Sequence, residues 1–127
     1  MGGLRTVLCL CFGLSAANAA AIPSHDDPVR FFATCAGQLS AQMEFQWLMQ
    51  DPAADQTRQF RATMLELLQA VAPRDPGPEL LSWRINAKMA HAALLRRAEF
   101  GSRPDDAAWA RARAAAAIRT CTGLLIS

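Results

Sequence analysis

The stretch ATCAGQLSAQ, residues 33–42, decides the fold. With its flanks it places Phe32, Ala36, Leu39, Met43 and Trp47 at i+3/i+4 spacing, the stripe of an amphipathic helix. One of its residues is a thiol, Cys35, and an Ala-rich helix has no packing need for a thiol alone. Punctuation on either side bounds the helix. Asp27-Pro28 combines an N-cap residue with Pro at the first helical position. Asp51-Pro52 ends it, because the residue before Pro is pushed out of the α region. A helix is therefore expected over about 28–50.

Three more segments follow the same logic. From 52 to 72, Phe60, Met64, Leu67, Leu68 and Val71 share one side of a second helix, with Asp51 available as its cap. APRDPGP at 72–78 holds three prolines and a glycine in seven residues and reads as a loop. A third helix over 78–100 carries Leu80, Trp83, Ala87, Ala90 and Leu94 on one stripe, and Gly101 supplies a C′ residue. Ser102 to Asp105 resembles a capping box opening a fourth helix over 103–125. Its seam is Ala110, Ala114, Ala117, Cys121 and Leu124, small-residued as far as Cys121. No sustained period-2 alternation and no Asn-Gly or Asp-Gly turn points to strands. The expected fold is all-α, a small antiparallel four-helix bundle with short connections.

Upstream, Arg5 precedes an apolar run from Thr6 to Ala17, and Ala17-Asn18-Ala19 forms an A-x-A pattern. This is the layout of a signal peptide cleaved between Ala19 and Ala20. The run falls short of the about 20 residues of a spanning helix, so the leader is expected at 1–19 and a single helical domain at 20–127. A retained leader tethering the domain to a membrane is the minor alternative. Cys9 and Cys11 lie in the leader behind leucines, without the small residue that precedes a lipidated Cys. Their removal leaves Cys35 and Cys121, and two thiols in an exported chain point to one disulfide. Cys35 is near the start of the first helix and Cys121 near the end of the last. In an up-down-up-down bundle those helices are adjacent and antiparallel, which sets the two cysteines at one level. No C-x-x-C suggests a redox pair.

The candidates for chemistry are few. There is no C-x-x-C-H, G-x-S-x-G or H-E-x-x-H motif. His25 falls in the lead-in to the first helix, and His91 lies at the edge of the third-helix stripe. His91 with Met89 or Met43 could ligate haem iron or a metal. An ordinary core also contains one His and scattered Met. Asp26-Asp27 and Asp105-Asp106 sit at helix starts, where capping and the dipole account for them.

Charge is more informative. The mature chain is close to neutral, with 12 Lys and Arg against 11 acids. Within 20–83, Arg30, Arg58, Arg61 and Arg74 face eight acids, a net of −4. Within 84–127, eight basic residues face Glu99, Asp105 and Asp106, a net of +5. Twelve of the 13 basic residues are Arg, as GC-rich coding favours. The second half therefore offers a basic surface of Arg96, Arg97, Arg103, Arg111, Arg113 and Arg119. The simpler account is attraction between the halves, worth little per surface pair. Phe31, Phe45, Leu48, Met49, Ile85, Met89 and Leu95 add an apolar excess outside the main stripes.

The expected function is that of an exported, periplasmic or secreted accessory protein that binds rather than catalyses and needs no cofactor. Its expected partner is another envelope protein or a second copy of itself, with an anionic lipid surface as a further option and nucleic acid excluded. The alternative is a periplasmic carrier of haem, a metal or a small ligand, using His91 and a nearby Met.

Overall fold

Proline fixes where three of the four helices begin. Pro28, Pro78 and Pro104 each open a helix, a position where the missing N–H is no loss. The structure, a computed structural model, describes residues 27–126. The helices are α1 (Pro28–Leu48), α2 (Ala54–Val71), α3 (Pro78–Phe100) and α4 (Pro104–Thr122), with no strand among the described residues. The expected leader lies outside the described residues. None of the described helices is long and apolar enough to cross a membrane.

Asp27 caps α1 as expected, its carboxylate accepting from the Val29 and Arg30 N–H groups at 3.1 and 3.2 Å. The far end of α1 departs from expectation. The helix stops at Leu48, two residues early, in a Schellman turn centred on Gln50 at φ 57°. The Asp51 N–H returns to the Gln46 carbonyl and the Gln50 N–H to that of Trp47. Asp51 consequently lies outside both helices, and its carboxylate holds the Ala53 N–H at 2.9 Å in the turn that enters α2. α2 begins two residues later than expected for the same reason. The capping box at Ser102 is not formed. Arg103 is the N-cap of α4 and makes no side-chain cap bond, and the helix ends at Thr122 instead of 125. Gly101 ends α3 with an extended backbone, not a left-handed one; a Cβ there would strike the Arg97 carbonyl oxygen.

The four helices do not pack evenly on one another. α1 packs against α2 on one side and, most extensively, against α3 on the other, while α4 packs on α3 and touches α1 lightly. α1 is thus a central helix: no residue from Ala33 to Met43 is exposed. Its contacts with α3 advance together along both chains, from Arg30 over the Trp83 ring to Phe45 beside Phe100, so the two run parallel. They meet closely at Gly37. A Cβ there would collide with the Arg84 carbonyl oxygen and lie 3.1 Å from the Ala87 Cβ. Glycine is required by this approach, not by its dihedral angles.

The flank toward α2 is built from larger groups. Leu39 and Met64, both fully buried, centre a cluster with Cys35, Ala36 and Cys121, edged by Phe32, Phe60 and Ile118. Burying each of the two large side chains contributes about 2 kcal/mol. Ser40 donates to the Ala36 carbonyl and accepts from Arg61 Nε, both at 2.7 Å, which satisfies the polar groups at this seam.

The expected faces of α1, α2 and α4 are largely those observed, with three corrections. Trp47, Val71 and Leu124 are exposed: Trp47 and Val71 fall in the last turns of α1 and α2, and Leu124 follows the end of α4. α3 departs most: Leu80, Trp83, Ala87 and Leu94 of its expected stripe are half-buried and Ala90 faces solvent, while the fully buried residues are His91, Leu95 and Ala98. Apolar residues ring this helix, so its spacing selects the face only in part; the docking of Gly37 on Arg84 and Ala87 fixes it.

Candidate functional site

The elements converge where α4 lies over the α1–α3 pair. Cys35 and Cys121 form a disulfide, with Cα atoms 5.4 Å apart and 86 residues of separation. The side-chain amide of Gln38 rests 3.2 Å from Cys121 Sγ. One helical turn further along α1, Gln42 Oε1 accepts a hydrogen bond from His91 Nε2 at 2.9 Å. An amide oxygen only accepts, so the ring proton sits on Nε2 and Nδ1 keeps its lone pair.

His91 is 1% exposed, and its Nδ1 is sealed from solvent with no partner among the described residues. Burial lowers its pKa from 6.5 to about 4, so the ring is neutral at ordinary pH. A neutral imidazole suits metal ligation, but this lone pair is closed off from solvent. Met89, two residues away, is 58% exposed on a different side of α3, as i,i+2 positions do not share a face. Met43 is buried in α1. The structure therefore separates His91 from Met89.

Two clefts run along the flanks of α4. One, of about 360 Å³, is bounded by Gln38, His91, Leu94, Arg113 and Thr120. The other, of about 320 Å³, has Leu95, Ala98, Ala114 and Ile118 as its floor, with Gln42, Arg111 and Arg119 around it. A third cleft, about 470 Å³, lies at the opposite end against Trp83 and the 73–78 loop, with Asp27 and Glu79 at its edge.

All six arginines of the expected basic surface are exposed, but their commitments differ. Arg97 pairs with Asp106 at 3.5 Å and lies 5.7 Å over the Trp109 ring. Arg103 pairs with Asp105, and Arg111 donates to the Ala98 carbonyl at 2.9 Å. Arg96, Arg113 and Arg119 have no ion-pair partner among the described residues. Lys88–Glu44, at 2.6 Å, is the one described ion pair that joins the acidic α1–α2 hairpin to the basic α3–α4 hairpin. Attraction between the hairpins therefore neutralises little of the charge on either.

Sequence reasoning missed Gln38 and Gln42. Their only signal is position: amides in the long interfacial stretch of α1, where an apolar residue would serve packing alone. In comparisons with known proteins, no family model matches the sequence, and neither a curated protein nor a solved structure matches it.

Proposed function

We propose that the chain is exported after cleavage behind Ala19 and works in the periplasm or outside the cell as a small helical accessory protein. It acts by binding an acidic envelope protein through the α3–α4 hairpin, without catalysis of its own. The observation that carries this reading is the uncompensated charge of that hairpin. Arg96, Arg113 and Arg119 stand without ion-pair partners among the described residues, and a single pair crosses to the acidic half. Uncompensated basic charge of this kind steers an acidic partner. Leu81, Ile85 and Met89, exposed at i+4 steps along α3, add apolar surface to the same hairpin.

The test is the native mass of the protein taken from its own cell envelope, for the wild type and for Arg96→Glu with Arg113→Glu. A complex with a second, different chain that dissociates on charge reversal supports the reading. Protein found alone, or a complex indifferent to the reversal, overturns it. The carrier reading draws on the unpartnered lone pair of His91 Nδ1, which solvent does not reach, and needs the packing around that ring to open. Bound colour or metal that His91→Leu abolishes with the fold intact would favour it.

A further inference from the structure

We propose that the cleft beside α4 floored by Leu95, Ala98, Ala114 and Ile118 binds a small amphiphilic carboxylate, with Arg119 receiving the carboxylate and the apolar floor receiving a short aliphatic tail. This goes beyond the binding of a partner protein, and Arg96 and Arg113 lie outside the cleft.

The chemistry of the lining selects the ligand. Two guanidinium groups border the cleft, and no carboxylate does. One arm of Arg111 is fixed by the Ala98 carbonyl at 2.9 Å, which leaves its other N–H donors in a defined orientation. Arg119 has no ion-pair partner among the described residues, so its charge is available. Gln42 contributes the third donor. Its oxygen is held by His91 Nε2 at 2.9 Å, so the amide N–H groups are left for the cleft. Every polar side chain around the cleft thus offers donors, an arrangement that fits an anion and above all the bidentate geometry of Arg with a carboxylate.

The floor decides against a bare inorganic anion. Four apolar side chains beside three donors match an amphiphile, whose tail replaces water there while its head meets Arg119. At about 320 Å³ the cleft lies at the small end of ligand sites, which span roughly 300–1,000 Å³, so the tail is short.

The probe is sodium octanoate, titrated into the purified oxidised protein and followed by the methyl resonances of Ile118 and Leu95. Saturable shifts of both methyls with a Kd below about 1 mM are expected. Arg119→Gln should weaken binding about tenfold, the loss of one charge-assisted contact. Ala115→Leu, also at the lining, should fill the cleft and abolish the shifts. Arg119 and Ala115 are both exposed, so these variants keep the fold, which circular dichroism verifies. Octanol and octylammonium should leave the two methyls unmoved. Overturning results are an absence of saturable shifts in the wild type, equal binding of octanol, or an Arg119→Gln protein that binds unchanged. Failure with octanoate combined with Arg119-dependent binding to phosphatidylglycerol vesicles would also overturn the proposal, in favour of a lipid surface.

Discussion

On one flank of α1, Leu39 meets Met64 and Phe60 of α2 across a conventional apolar seam. On the other, Gly37 lets the backbone of α3 approach so closely that no side chain fits between them. The first flank derives its strength from filled volume, which other apolar side chains of similar size can supply. The second depends on missing volume, and it fixes where α3 lies and which of its faces turns inward. The two flanks should therefore fail in opposite ways, one on truncation and the other on addition.

Truncation gives the largest expected effect. Met64→Ala empties a fully buried position and should cost about 3 kcal/mol, whereas Met64→Leu, near in volume, should cost less than about 1.5 kcal/mol. Urea unfolding of the oxidised protein measures both. Equal losses would mean that this seam is as geometrically strict as the other.

Acid should act on the α3 flank through His91. Its folded pKa of about 4 lies below the unfolded value of 6.5, so the unfolded chain binds the proton first. Stability from the neutral ring is full above pH 6.5 and is lost as pH falls from 6.5 toward 4. The loss is about 3 kcal/mol at most, at 1.36 kcal/mol per pH unit. The difference between wild type and His91→Leu isolates the ring. Across pH 7.5, 5.5 and 4 the unfolding midpoint of the wild type should fall relative to that of the variant as the medium acidifies. Parallel curves would remove His91 from the account.

Addition on the same flank is next. Gly37→Ala should cost about 2 kcal/mol through overpacking, even though Ala is the better helix former by roughly 1 kcal/mol. A stabilised Gly37→Ala protein would show that α3 can retreat freely, and the contrast between the flanks would collapse. Gln50→Gly belongs to neither flank and serves as the reference. Relieving the left-handed residue should stabilise by roughly 0.5–1 kcal/mol while leaving the acid response unchanged.

What the sequence reveals follows the same division. Helix starts are legible because Pro28, Pro78 and Pro104 act locally, and so is the Asp27 cap. The Cys35–Cys121 pairing is legible because it needs only chain direction and level, although α4 touches α1 only lightly. The inward face of α3 is legible only in part: Leu80, Trp83, Ala87 and Leu94 are half-buried as their spacing suggests, but the fully buried His91, Leu95 and Ala98 are not on that stripe. Leu81, Ile85, Met89 and Leu95 blur the phase of its pattern, and the residue that fixes it is a glycine on another helix. The early end of α1 is hidden too, since Gln50 adopts a conformation usually left to Gly or Asn. The arginines of the α4 cleft are visible as charge, but Gln42 gains meaning only once His91 is beside it.

The disulfide has a mechanical consequence. It joins positions 86 residues apart, so everything from Cys35 to Cys121 lies inside one covalent ring. A load applied at the two ends of the described chain crosses directly from α1 to α4 through sulfur and bypasses α2 and α3 altogether. Only the arms at 27–34 and 122–126 are free to extend. About 290 Å of contour length, at roughly 3.4 Å per residue, stays withheld until the bond is reduced. In its oxidised form the domain is an inextensible link between whatever holds its ends.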